Sequence, residues 1–84
     1  MMTRNIDWRV RTVGTGIFLT NSLKVFEVNS TAAKVFLMCD GKNDMDMMVS
    51  GIKSSFQTEC PDQEIRGDIE EVLATLKEIG AVQE

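Results

Sequence analysis

The stretch NSTAAKVFLMCDG, residues 29–41, is where the chain changes from strand periodicity to helix periodicity. Asn29 suits the N-cap, because its side-chain oxygen can accept a free backbone N–H of the first turn. Ala33 and Leu37 add a second apolar stripe, so we expect this helix to be buried on two sides. Gly41 suits the left-handed position that ends a helix. A helix from about residue 30 to residue 38 is predicted by apolar side chains at i, i+3, i+4 and i+7, namely Ala32, Val35, Phe36 and Cys39.

The residues before this helix indicate three short strands. Large apolar and polar side chains alternate over residues 8–13, which is typical of a half-buried strand. Residues 17–20 and 24–28 are rich in β-branched and aromatic side chains, which favour strands. The turns at Gly14-Thr15-Gly16 and Asn21-Ser22 are too short for crossover connections. These segments therefore predict a three-stranded antiparallel meander.

The residues after Gly41 indicate two more helices. The first begins near Asn43 or Asp44, and its apolar face consists of Met45, Met48, Val49, Ile52 and Phe56. Pro61 suits the first turn of the next helix, where its missing N–H does no harm. Gly80 is the expected end of that helix. Its apolar stripe is the strongest periodic signal in the chain and consists of Ile65, Ile69, Val72, Leu73, Leu76 and Ile79.

The order of elements predicts one α+β domain, a three-stranded antiparallel sheet followed by three helices. The chain has 84 residues, enough for a single core. We expect residues 1–7 to form a flexible N-terminal arm and residues 8–84 to form the domain. No secretory signal or apolar run of about 20 residues is present, so we expect a cytoplasmic protein.

The motifs Val28-Asn29-Ser30-Thr31-Ala32-Ala33 and Cys39-Asp40-Gly41 together resemble the PqqD-like family, whose members are also called RiPP recognition elements. Two later motifs extend the resemblance, Gly67-Asp68-Ile69 and Leu76-Lys77-Glu78-Ile79-Gly80. The likeness covers residues 8–82. In PqqD itself a Pro-Glu turn usually precedes the third strand, whereas this chain has Thr20-Asn21-Ser22. The resemblance is therefore to the broader family rather than to the quinone-synthesis protein in particular.

The resemblance implies a winged-helix-like fold that binds the leader segment of a ribosomally made precursor peptide. In such domains the leader adds as a strand beside the third strand and lies against the third helix, a mode that uses the unpaired backbone groups of a sheet edge. Its partners would be the precursor and a separate modifying enzyme, such as a radical SAM protein, a leader peptidase or a cyclodehydratase. The same edge could pair with a second copy and form a homodimer.

The peptide-binding residues implied by this mode lie on two segments. The third helix offers two flanks, and the one with smaller and less charged side chains is the better candidate wall for a groove. Spacing alone does not decide which flank faces the third strand. The candidate residues are Lys24, Val25, Phe26, Glu27 and Val28 on the third strand, and Asp68, Val72 and Thr75 on the third helix. Phe26 and Val28 share one strand face and are expected in the core.

Composition argues against several other functions. The net charge is −4, and an acidic surface repels nucleic acids and acidic membranes. Histidine is absent, and the two cysteines form no CxxC pair, so we expect no metal site and no cofactor. No Ser or Cys has an adjacent base, so we expect no catalysis.

Three alternatives remain at the level of sequence. A winged-helix nucleic-acid binder would need a basic third helix, whereas residues 64–79 carry five acidic and only two basic side chains. A carrier protein would need an Asp-Ser at a helix start, which this chain lacks. Another kind of protein-interaction domain is the third.

Overall fold

The computed structural model describes residues 2–84 and contains three antiparallel strands, three helices and a second, smaller sheet. The strands of the main sheet and the three helices appear in the predicted order, so the predicted α+β fold is confirmed. The elements are β1 (Thr3–Arg4), β2 (Arg9–Val13), β3 (Gly16–Thr20), β4 (Val25–Val28), α1 (Ser30–Met38), α2 (Met45–Phe56), α3 (Asp62–Glu78) and β5 (Val82–Gln83).

Two tight connections give the main sheet its order β2-β3-β4. Val13 is the register partner of Gly16, so only Gly14 and Thr15 lie in the first turn. Gly14 has φ +60°, and glycine at the first central position suits such a two-residue hairpin. In the second connection, the Asn21 side-chain oxygen accepts the N–H groups of Leu23 (2.9 Å) and Lys24 (2.7 Å). This local turn places β4 at the edge of the sheet.

The two faces of the main sheet differ in what they contact. Leu19 lies on the core face, opposite Val10 on one side and Phe26 on the other, and is 1% exposed. Phe26 stacks on Trp8 with ring centroids 6.0 Å apart, yet it stays 36% exposed. The expectation that Phe26 is a core residue is therefore only partly met, because β4 is an edge strand and one side of the ring stays open. Val28 is half-buried.

Helix α1 is the central helix of the core. Asn29 caps it, as predicted, by accepting the N–H of Ala32 at 2.8 Å. Val35, Phe36 and Cys39 are buried, but Leu37 is 50% exposed. The expectation of burial on two sides is wrong at Leu37, since no element covers that flank of the last turn. Gly41 has φ +80° and follows the helix as expected.

Helices α2 and α3 complete the core around α1. Asp44, rather than Asn43, caps α2, and its carboxylate accepts the N–H of Met47 at 2.9 Å. Phe56 was expected on the apolar face, but it lies in the last turn and is 41% exposed. Helix α3 buries Ile65, Ile69 and Leu76 as predicted, and its half-buried Val72, Leu73 and Ile79 pack against the same core.

The two ends of the described chain pair in a small sheet that the sequence does not predict. Strand β1 runs antiparallel to β5, with Thr3 opposite Gln83 and Arg4 opposite Val82. The Arg4 N–H donates to the Cys39 carbonyl at 2.7 Å, and the Asn5 N–H donates to the Ala81 carbonyl at 2.9 Å. Residues 3–5, expected in a flexible arm, thus make backbone hydrogen bonds to the domain.

Candidate peptide-binding groove

Strand β4 has one paired edge and one open edge. It hydrogen-bonds to β3 from Val25 to Val28, and no other strand in residues 2–84 pairs with it. In an extended strand, alternate N–H and C=O groups point to opposite edges. The open edge of β4 therefore presents backbone donors and acceptors that an added extended segment could pair with.

The open edge of β4 borders a groove whose opposite wall is α3. The groove has a volume of about 520 Å³. The end of β4, the first turn of α1 and one flank of α3 enclose it. The lining residues are Phe26, Glu27, Val28, Asn29, Thr31, Ala32, Asp68, Glu71, Val72, Thr75, Leu76 and Ile79.

Six of the eight candidate residues meet in this groove. The structure brings Phe26, Glu27 and Val28 of β4 together with Asp68, Val72 and Thr75 of α3. A role in binding peptide stays a prediction for all of them.

The other two candidates, Lys24 and Val25, lie outside the groove lining. Lys24 precedes β4, where its carbonyl accepts the Thr20 hydroxyl at 2.9 Å and the Asn21 N–H at 3.0 Å. Val25 shares the outer sheet face with Thr20 and borders a different concave surface there.

The structure also shows which flank of α3 faces β4, a question that helical spacing alone did not decide. The flank carrying Asp68, Val72 and Thr75 faces β4. On the remaining surface, Arg66 pairs with Asp46 of α2 at 2.6 Å, and Lys77 lies 4.0 Å from Glu84. The wall of the groove is thus the flank whose side chains are free of these ion pairs.

Some groove residues were missed or given another role by the sequence. Asn29 and Thr31 look like helix-start residues, and Asn29 indeed caps α1, yet both also line the groove. Because α1 begins directly after β4, its first turn must lie next to the end of that strand. Glu71 was missed, although its position three residues after Asp68 places both on the same flank of α3.

The groove combines an apolar floor with an acidic rim. Leu76 is buried, and Val28, Val72 and Ile79 are half-buried. Glu27, Asp68 and Glu71 are exposed around them. The lining includes no lysine or arginine.

Two other concave surfaces lack this combination. The outer face of the main sheet, about 760 Å³, is bordered by Arg9, Arg11, Phe18 and Val25. A second hollow of about 630 Å³ lies beside β1. Neither is bounded by both the open edge of β4 and a helix, so neither offers the same support for an added strand.

The described residues show neither a metal cluster nor a membrane helix. No three His, Cys, Asp or Glu side chains within residues 2–84 come together in a way that could hold a metal ion. None of the helices in that part of the chain is both long and apolar enough to cross a membrane.

The fold and the groove define a small α+β domain with an open strand edge facing a helix. The family model for coenzyme PQQ synthesis protein D (PqqD) matches residues 17–82, so the chain belongs to the PqqD family. This match confirms the resemblance seen in residues 28–41 and 67–80. No curated protein sequence matches the chain significantly.

The structure is also similar to that of TbiB1, solved in complex with the TbiA(beta) leader peptide. The TM-score is 0.76, and the alignment covers 96% of this chain and 94% of TbiB1. The two sequences are 8% identical, so the likeness shows a shared fold.

Proposed function

We propose that this domain binds the leader segment of a ribosomally synthesised precursor peptide by strand addition at β4. The observation that carries the proposal is the position of the open β4 edge across the groove from α3. Membership of the PqqD family and the fold shared with TbiB1, a protein solved with a leader peptide, support it.

Backbone pairing would supply general affinity, and side-chain pockets would supply selectivity. In an added strand, successive side chains point to opposite faces. Those on the face of Phe26 and Val28 would enter the groove and contact Val72 and Ile79. Those on the other face would lie beside Glu27 in solvent.

Binding of this kind would deliver the precursor to a separate enzyme, and the domain itself would not catalyse a reaction. A leader held on β4 keeps the rest of the precursor close to a separate enzyme, which raises the effective concentration of the reacting segment. The enzyme would be a peptide-modifying one, such as a radical SAM protein, a leader peptidase or a cyclodehydratase. The domain then needs no catalytic group of its own, and the chain contains no histidine.

The first test is a calorimetric titration with a synthetic leader taken from a neighbouring short open reading frame. We expect saturable binding, and no binding at about 100 μM would contradict leader recognition. Backbone N-methylation of the leader then tests the geometry without altering the protein. Because alternate leader N–H groups face β4, methylation at every second position should abolish binding, whereas methylation at the others should be tolerated.

Proline in β4 is the matching change on the protein. Val25→Pro or Glu27→Pro should abolish leader binding in whichever variant stays folded by circular dichroism, because the missing N–H and the ring block the edge. Thr12→Pro on β2, whose N–H faces the opposite open edge of the sheet, is the control and should bind normally. Unchanged affinity in a folded β4 variant, together with tolerance of N-methylation at all leader positions, would eliminate strand addition.

A further inference from the structure

The acidic rim of the groove has no basic partner among residues 2–84. Glu27 on β4 and Asp68 and Glu71 on α3 are all exposed. The ion pairs found in residues 2–84 involve other acidic side chains: Asp62 with Lys53, Asp46 with Arg66, and Glu84 with Lys77. Asp68 and Glu71 therefore present two negative charges to the groove that the described part of the chain does not neutralise.

The two carboxylates of α3 and the apolar Ile79 lie at different positions along the groove. Asp68 and Glu71 are one helical turn apart near the middle of α3, whereas Ile79 follows its last residue, Glu78. At 1.5 Å per residue, Glu71 and Asp68 lie about 12 and 16 Å from Ile79 along the helix axis. An occupant of the groove thus meets carboxylates at one end and apolar side chains at the other.

An extended peptide that lies along α3 spans this distance in a small number of residues. At about 3.3 Å per residue, 12–16 Å corresponds to roughly four or five residues. Two side chains that both face α3 must be separated by an even number of positions. The spacing that satisfies both conditions is four residues.

We propose that the groove selects leader segments with a lysine or arginine four residues from a large apolar residue. The cation lies between Asp68 and Glu71, and the apolar side chain packs on Ile79. This inference rests on the proposed leader-binding function and adds the chemical class of the leader. Charge complementarity favours a basic segment, because an acidic one would bring like charges together in the groove.

A selection from random peptides tests the proposal whatever the sequence of the natural leader. Ten-residue peptides displayed on phage are selected on three immobilised full-length proteins: the unmodified chain, Asp68→Asn/Glu71→Gln, and Glu70→Gln/Glu78→Gln. The last double variant removes the same charge from exposed positions of α3 outside the groove lining. Only peptides whose binding is lost with the folded β4 proline variant are sequenced.

The expected result is enrichment of lysine or arginine four positions from an apolar residue. It should appear with the unmodified chain and with Glu70→Gln/Glu78→Gln, and disappear with Asp68→Asn/Glu71→Gln. An enriched peptide should bind the groove variant about three- to tenfold more weakly than the unmodified chain, as expected for exposed ion pairs. Glutamine in place of the peptide's basic residue should remove that difference.

The possible outcomes test the charge selection separately from leader binding itself. If β4-dependent peptides show no basic residue at this spacing, or show it equally with Asp68→Asn/Glu71→Gln, the charge selection is overturned and leader binding stands. If no β4-dependent peptide is recovered and the synthetic leader also fails to bind, both are overturned.

Discussion

Cys39 combines a titratable thiol with complete burial. Its side chain is 0% exposed, and its sulfur donates a hydrogen bond to the Val35 carbonyl at 3.2 Å. Burial raises the pKa of the Cys39 thiol from 9.0 to about 11, because the thiolate loses its hydration inside the core. Cys39 is thus a small core residue at the end of α1, and it is not a reactive group.

This shift predicts a loss of stability in alkaline solution. Above about pH 9 the unfolded chain releases the Cys39 proton while the folded chain keeps it, so the unfolded state binds fewer protons and stability falls as pH rises. The contribution is complete below pH 9 and lost by about pH 11. Urea unfolding at pH 8 and pH 10.5 should show a fall of about 2 kcal/mol from this group.

Cys39→Ala is the comparison for that measurement. The variant starts less stable, but it lacks the thiol, so its stability should change less between the two pH values. An identical pH dependence in both proteins would show that Cys39 titrates alike in the folded and unfolded states.

Two glycines show how closely the helices approach each other. Gly51 lies within α2, where a Cβ atom would stand 2.7 Å from the Met38 sulfur of α1. Gly67 lies within α3, where a Cβ atom would meet nothing within 4 Å. Helix propensity disfavours glycine equally at both sites, so packing alone distinguishes them.

We therefore expect opposite outcomes from the same substitution. Gly67→Ala should stabilise the domain by roughly 0.5–1 kcal/mol, because it adds helix propensity in open space. Gly51→Ala should give no gain or a loss of about 1–2 kcal/mol, because the methyl group displaces Met38. Thermal unfolding of both variants, and of Gly51→Ala with Met38→Ala, measures the difference. Equal gains at the two sites would mean that α1 and α2 are not in close contact there.

The periodic strands and helices of this fold could be predicted from the sequence. The exposure of individual helix flanks and the two shortest strands could not. Alternation predicts the three strands, and the stripe of Ile65, Ile69 and Leu76 predicts the buried face of α3. Leu37 is apolar and correctly spaced, yet exposed, because spacing shows which side chains share a face but not whether another element covers that face. Strands β1 and β5 have two residues each, too few for any periodic signal.

The candidate site was predictable in part, because helical spacing shows which side chains share a face. Helical spacing groups Asp68, Val72 and Thr75 on one flank of α3, and the family resemblance links that helix to β4. Spacing does not fix how α3 rotates about its axis, which depends on tertiary packing. The acidic rim was not predicted, since Glu27 joins Asp68 and Glu71 only when β4 and α3 come together.

At the scale of the whole molecule, the small sheet ties the start of the chain to its end. Strand β1 lies against β5 and against the end of α1, where its backbone bonds to Cys39. Ala81 and Val82 are 0% and 2% exposed. The N-terminal residues therefore help to cover the core, and they lie outside the groove lining.

Removal of residues 1–5 should accordingly destabilise the domain. Loss of the β1 hydrogen bonds and partial exposure of Val82 should cost about 2–4 kcal/mol in urea unfolding. Ile6→Ala is the control from the same segment. Its side chain is 94% exposed, so that variant should stay within about 0.5 kcal/mol of the parent. A truncation cost below about 1 kcal/mol would instead support an arm that moves independently.

The pairing of Thr3 with Gln83 also affects how the domain can be joined to other proteins. Because these two residues are neighbours, the positions at which a host chain would enter and leave the domain lie side by side. The domain can therefore be inserted into a surface loop of an enzyme without separating the two ends of that loop. A short linker joining the ends beside Thr3 and Gln83 would allow circular permutation. The new termini would then lie in the exposed Gly14-Thr15 turn of the β2–β3 hairpin.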